Sequence, residues 1–193
     1  MVDHQAYAGS SPRLLFLLKE ANDREGGLRD LCQEVIARAD RKQTWENVAR
    51  WTLGLRNLSR DLQWSEIEDL SADVRRTALL SIAAMNLKKS PGGYTTDPDA
   101  FATAVRTHAV RIARQFHIYE PDVAICCGSL VAWGIKIALD KSLLEQWSQT
   151  RRGIPYVEYA PGRFIVSYVH PEARVADSLK YYGLVDACRE LLT

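Results

Sequence analysis

Three polar side chains of different chemistry stand just past three apolar runs: the carboxylate Glu20, the amide Asn86 and the imidazole His170. Glu20 belongs to Lys19-Glu20-Ala21-Asn22-Asp23, which follows Leu14-Leu15-Phe16-Leu17-Leu18. Asn86 follows Leu80-Ser81-Ile82-Ala83-Ala84-Met85 and opens Asn86-Leu87-Lys88-Lys89-Ser90-Pro91-Gly92-Gly93. His170 follows Phe164-Ile165-Val166-Ser167-Tyr168-Val169 and opens His170-Pro171-Glu172-Ala173-Arg174. Ligands of open α/β sheets bind beyond the carboxyl ends of the strands, so groups delivered there form one candidate site. A carboxylate at such a place positions water or stabilises a cation. Asparagine offers a donor and an acceptor, enough to read a nucleobase edge bidentately. Histidine donates to a developing anion or shuttles a proton, and Pro171 restricts the backbone just beyond it. Each residue also has a plain structural alternative: His170 as the cap of a strand end, Glu20 as ordinary loop acidity, Asn86 as the start of a turn.

The elements that must position these groups are legible as a strand–helix alternation. The first strand, about residues 13–18, is continuously apolar, as expected of a strand covered on both faces. Gly26-Gly27 precedes a helix with Leu28, Leu31, Cys32, Val35 and Ile36 on one side, and a second helix starts near Thr44 with Trp45, Val48, Trp51, Leu55 and Leu58. Residues 71–76 suit a helical turn leading into the second strand. Asp97-Pro98 is a good N-cap and first-turn pair for a helix carrying Phe101, Val105, His108, Ala109, Ile112 and Phe116. Residues 123–127 form a third buried strand, 130–139 a helix, 155–159 a short strand, and 176–192 a C-terminal helix. This order predicts a three-layer α/β/α domain around a central, mostly parallel four-stranded sheet. Residues 1–12 read as a flexible lead-in, and residues 13–193 as a single domain with no internal repeat, linker or low-complexity tract.

Length and composition suit a single soluble domain: 193 residues, 47% hydrophobic and 25% charged. No apolar run approaches the roughly 18 residues of a membrane span, and the N-terminus has no export signal, so the expected location is the cytoplasm. The net charge of +1 neither demands nor excludes a polyanionic partner, so any nucleic-acid face must be local. Lys88-Lys89, Arg151-Arg152, Arg163 and Arg174 are its candidates, although such residues are commonly just solvated. Cys32, Cys126, Cys127 and Cys188 lack zinc-site spacing and read as buried free thiols. No oligomeric signal is present, and a monomer is the default.

Taken together, the three segments resemble the uracil-DNA glycosylase superfamily, most closely its thermostable bacterial and archaeal branch. Lys19-Glu20-Ala21-Asn22-Asp23 aligns with a first motif of the Gly-Glu-Ala-Pro-Gly kind. Asn86, Lys88 and Pro91 fit a second region in which an Asn ends a strand before a Lys and a Pro-containing loop. Residues 121–128, Arg152-Gly153 and His170-Pro171 follow in the family's order, so the resemblance spans about residues 13–174. It implies a uracil-DNA glycosylase-like fold and a monofunctional enzyme that flips out a pyrimidine nucleotide from DNA and leaves an abasic site. It further implies that Glu20 orients water or stabilises charge on the sugar, that His170 stabilises the departing base, and that Asn86 binds the base edge beside Ala21, Asn22 and Asp23. Arg174 would be a wedge filling the gap left by the flipped nucleotide, while Lys88, Lys89, Ser90 and Arg152 would meet phosphates. The scheme requires no metal and no cofactor.

Several residues depart from the family pattern. Lys19 replaces a glycine, Asn22-Asp23 replace Pro-Gly, and Glu172 replaces a serine. No aromatic follows the first motif to stack on uracil, and the cysteines do not match iron–sulfur ligands. A pocket rebuilt in this way suits a bulkier pyrimidine, including the hypermodified cytosine of phage DNA, which would make the role anti-phage defence rather than DNA repair. Lys19 also raises imine chemistry. Two other function classes stand beside the enzyme: a catalytically inactive lesion or modified-base binding protein, and an unrelated α/β enzyme acting on free nucleosides. Against the last, the chain lacks a glycine-rich phosphate loop of standard spacing.

Overall fold

β1 (Leu14–Leu18) is buried at all five positions, because a parallel strand covered on both faces has no polar side. Its side chains alternate between two cores. Leu14, Phe16 and Leu18 enter one core with Trp51, Leu55 and Leu184. Leu15 and Leu17 enter the other with Phe101, Val105, Ile112 and Phe116. β3 (Val123–Cys127) is buried throughout for the same reason.

The computed structural model describes residues 1–20, 35, 43–90, 96–139 and 146–193. Within them, α1 (His4–Ala8) precedes β1, and α2 (Gln43–Arg56), α3 (Trp64–Ile67) and α4 (Ala72–Leu80) lead to β2 (Ala83–Asn86). Then come α5 (Pro98–Tyr119), β3, α6 (Ser129–Ala138), β4 (Ser148–Gln149), β5 (Pro155–Ala160), β6 (Arg163–Tyr168) and α7 (Asp177–Leu192). The strand order across the sheet is β2-β1-β3-β6-β5-β4. β1 runs parallel to β2 and to β3, and β3 runs parallel to β6. β5 is antiparallel to both β6 and β4. Helices cover both faces: α2, α4 and α7 supply the first core, α1, α5 and α6 the second.

This sheet corrects the expectation of a four-stranded, mostly parallel, uracil-DNA glycosylase-like architecture. Among the described residues it has six strands and is mixed. Ala160 pairs with Arg163 around Pro161-Gly162, where Gly162 adopts φ 68°. A two-residue connection can only return antiparallel, since a parallel return needs a crossover of a dozen residues or more. A second reversal at residues 150–154 then adds β4, whose two residues are both exposed and therefore carry no apolar pattern to read.

Elsewhere the local chemistry acts as anticipated. Asp97 caps α5, its carboxylate accepting from the N–H groups of Asp99 and Ala100, with Pro98 in the first turn. Residues 1–12, read from sequence as a flexible lead-in, instead contain α1, which packs Tyr7 into the second core, where its hydroxyl donates to the Tyr119 carbonyl at 3.0 Å. The helix expected after Gly26-Gly27 lies outside the described residues, apart from the buried Val35. No helix among the described residues is long and apolar enough to cross a membrane.

Candidate functional site

Strand register brings the three polar segments to one edge. Met85, Leu17, Cys126 and Ser167 form one row across β2, β1, β3 and β6. Asn86 is the next residue in its strand, and Glu20 and His170 each lie three residues past the row. At about 4.8 Å between strands, His170 leaves the sheet roughly 10 Å to the side of the β1 end. β1 is followed in sequence by β2 on one side and by β3 on the other, so the strand order reverses at its carboxyl end. That reversal is where ligands of such sheets bind.

Glu20 is held tightly. The β1–β2 pairing continues past the strands through Leu87 N–H to Leu18 O at 3.0 Å and Lys88 N–H to Lys19 O at 2.9 Å. Lys88 is thereby set beside the Glu20 carboxylate and donates to its Oε2. Thr96, just ahead of the α5 cap, donates to Oε1, and Lys19 Nζ lies 3.7 Å from the same oxygen. The Glu20 side chain is only 2% exposed. A carboxylate buried to that degree persists as an ion only when paired and hydrogen-bonded, as it is here. With about four acceptor positions on its two oxygens, it retains capacity for a further donor.

Asn86 behaves in the opposite way. Its Oδ1 is buried and accepts no hydrogen bond from the described residues. An unmet acceptor costs about 1–3 kcal/mol, so such an atom at a sheet edge is a candidate position for a ligand's donor.

His170 is exposed, and its Nδ1 accepts from the Glu172 backbone N–H at 3.1 Å. The neutral ring therefore carries its proton on Nε2. Burial of part of the ring pulls its pKa below the usual histidine value, Lys19 and Lys180 push it the same way, and Glu172 opposes them. A neutral imidazole with a free N–H can donate to an oxygen that becomes negative.

The remaining residues implied by the resemblance are more scattered. Lys89 donates to Gln115 Oε1 at 2.7 Å, and crowding by protein atoms lowers its pKa to about 8 although much of its area is exposed. Ser90 and Arg174 are exposed. Arg152 is paired with Asp186 on α7 at 2.7 Å, so the structure does not bring it into the Glu20 cluster. Ala21, Asn22, Asp23 and Pro91 lie outside the described residues, as does Cys32. Cys126, Cys127 and Cys188 are free and buried, and burial raises all three thiol pKa values. Among the described residues, no group of three or more His, Cys, Asp or Glu is placed to hold a metal.

The structure adds residues that the sequence reading passed over. Thr96 is one. The others form a polar support under the His170 turn: Asn47 and Arg50 on α2 with Asp177 and Lys180 on α7. Their sequence signal was a polar stripe at positions 43, 47 and 50, spaced i, i+4, i+7 on one helix face, beside the apolar stripe that defines α2. Comparison with protein-family models, with curated proteins and with solved structures finds no match to this chain.

Proposed function

We propose that the protein is a monofunctional DNA glycosylase that flips out an aberrant or modified pyrimidine and excises it, leaving an abasic site. The observation that carries this reading is the buried, unmet Oδ1 of Asn86 at an edge shared with a paired carboxylate and a neutral histidine. Cleavage of the N-glycosidic bond sends its electron pair to the base, while a water oxygen bonds to the sugar carbon and gives up a proton, which the departed base anion takes up. Positive charge builds on the sugar and negative charge on the base. Glu20 would stabilise the first and orient the water, and the Nε2–H of His170 would stabilise the second. Asn86 would accept from the base edge through Oδ1 and donate through its amide nitrogen. Arg174 would replace the flipped nucleotide in the stack, and Lys89 and Ser90 would meet phosphates. Exposed Val169, Val175 and Leu179 flank the His170–Arg174 segment and offer an apolar rim for an unstacked strand.

A specific observation favours one alternative. Both Glu20 oxygens are already engaged by Lys88, Thr96 and Lys19, an arrangement that also suits a protein binding a lesion or modified base without cutting it. One experiment separates the two. The protein is incubated with single- and double-stranded DNA carrying uracil, hydroxymethylcytosine or glucosylated hydroxymethylcytosine, and both abasic sites and retained DNA are measured. Abasic sites that vanish with Glu20→Gln and His170→Ala support the glycosylase. Selective retention without abasic sites supports the binding protein, and neither result sinks both. Cleavage of the glucosylated DNA alone points to anti-phage defence rather than repair.

A further inference from the structure

The side chain of Lys180 is only 1% exposed, and its three N–H donors meet three acceptors. These are the carbonyls of Pro171 at 2.6 Å and Ala173 at 3.2 Å and the Asp177 carboxylate at 2.7 Å. Asn47, itself 1% exposed, donates to the same Pro171 carbonyl and to Asp177, both at 2.9 Å. Burying an ammonium costs several kcal/mol before its partners compensate, so a cation here needs a reason beyond helix packing.

The peptide plane supplies that reason. The Pro171 carbonyl and the Glu172 N–H belong to one planar unit, and in a trans peptide they point in opposite directions. Lys180 and Asn47 hold the oxygen, so the N–H is aimed the other way, where it meets His170 Nδ1 at 3.1 Å. A positive charge on the oxygen also polarises the amide and strengthens its N–H as a donor. Further ties close the same turn: Thr44 donates to the Glu172 carboxylate, and Ala173 N–H donates to the His170 carbonyl at 2.9 Å.

We infer that Lys180 is a positioning residue that acts through the Pro171–Glu172 peptide to lock His170 in its Nε2–H tautomer and in one ring orientation, with Asn47 and Asp177 as its supports. The inference deepens the proposed function, because its catalytic consequence rests on His170 facing the leaving base.

The test uses the full chain with nitrogen-15 histidine and amides. In the wild type, NMR should show a single neutral Nε2–H tautomer at His170, with scalar coupling across the hydrogen bond from the Glu172 amide. Lys180→Met should abolish that coupling and speed exchange of the Glu172 amide about tenfold or more, while amides of β1 and β3 keep their protection. Coupling that persists in a folded Lys180→Met protein overturns the inference. Should that variant not fold, Lys180→Gln takes its place with the same two outcomes, since it removes the charge and shortens the reach to the Pro171 carbonyl while keeping polar atoms beside Asp177. On a DNA that the wild type cleaves, Lys180→Met should lower kcat about tenfold or more with little change in KM. If the wild type cleaves no DNA, the glycosylase reading fails while the NMR result still decides the role of Lys180.

Discussion

The Glu20 carboxylate and the Lys88 ammonium pair across the ends of two adjacent parallel strands, with the carboxylate almost wholly removed from solvent. Removing one partner of a buried pair leaves the other uncompensated, and that loss costs about 3–5 kcal/mol in general. Lys19 and Thr96 remain as partial partners for Glu20, so Lys88→Met should fall at the lower end, roughly 3 kcal/mol in denaturant unfolding. Glu20→Gln keeps one acceptor oxygen and leaves behind the Lys88 charge, which at 17% exposure is the better solvated partner. It should therefore cost less stability, yet lower excision by a factor on the order of 100. Equal destabilisation by the two variants would remove the ion pair from the account of the site.

Asn86 should show a conflict between stability and function. Replacing it with leucine, similar in shape, removes a buried acceptor that has no partner among the described residues. The thermal midpoint of Asn86→Leu is expected to stay level or rise, by up to about 2 kcal/mol in stability, while binding or cleavage of modified-base DNA falls. A fall in both would mean that the amide supports the fold.

His170 makes stability depend on pH in a defined direction. Its folded pKa lies below the unfolded value of 6.5, so the unfolded chain binds the proton more readily. Stability from this group is therefore fully present above 6.5 and is lost as pH falls from there through the depressed folded value. Charge on Lys19 and Lys180 reinforces the depression and Glu172 opposes it. Because the ring is exposed by area, solvent screens part of the effect. Denaturant midpoints of the wild type and of His170→Asn, compared between pH 4 and 8, should converge toward acid if the wild type is otherwise the more stable; parallel curves would contradict the shift.

Gly54 lets α2 and α7 meet closely. A Cβ there would stand 2.6 Å from Tyr181 Cε2 and 2.6 Å from Val185 Cγ2. Both neighbours are packed in the first core, so neither can move freely. Gly54→Ala should destabilise by about 1–3 kcal/mol despite the better helix propensity of alanine. A neutral or stabilising result would show that the α2–α7 contact is loose.

Much of the element content was legible because burial on both faces writes itself into composition. Five consecutive apolar residues mark β1 and β3, and Asp97-Pro98 marks the start of α5 through chemistry confined to one turn. The polar residues at the ends of β1, β2 and β6 could also be named, since a strand that stops being apolar has left the core. Strand number and direction were not legible in the same way. β4 has two exposed residues, and its membership of the sheet rests on pairing with β5 rather than on any pattern of its own.

Sequence alone therefore placed the long apolar strands, the amphipathic helices and the polar groups that leave the strand ends, because those properties depend on neighbours within a few residues. α1, α3 and β4 are too short to carry such a pattern. Tertiary structure decided what each group touches. Glu20 meets Lys88 from 68 residues away and Thr96 from 76, and Asn47 reaches Pro171 from 124. Such pairings depend on strand order and helix docking, which local pattern does not encode. They decide the chemistry: the carboxylate is neutralised by its partners, the amide is left with an unmet acceptor, and one peptide plane joins a buried lysine to the imidazole.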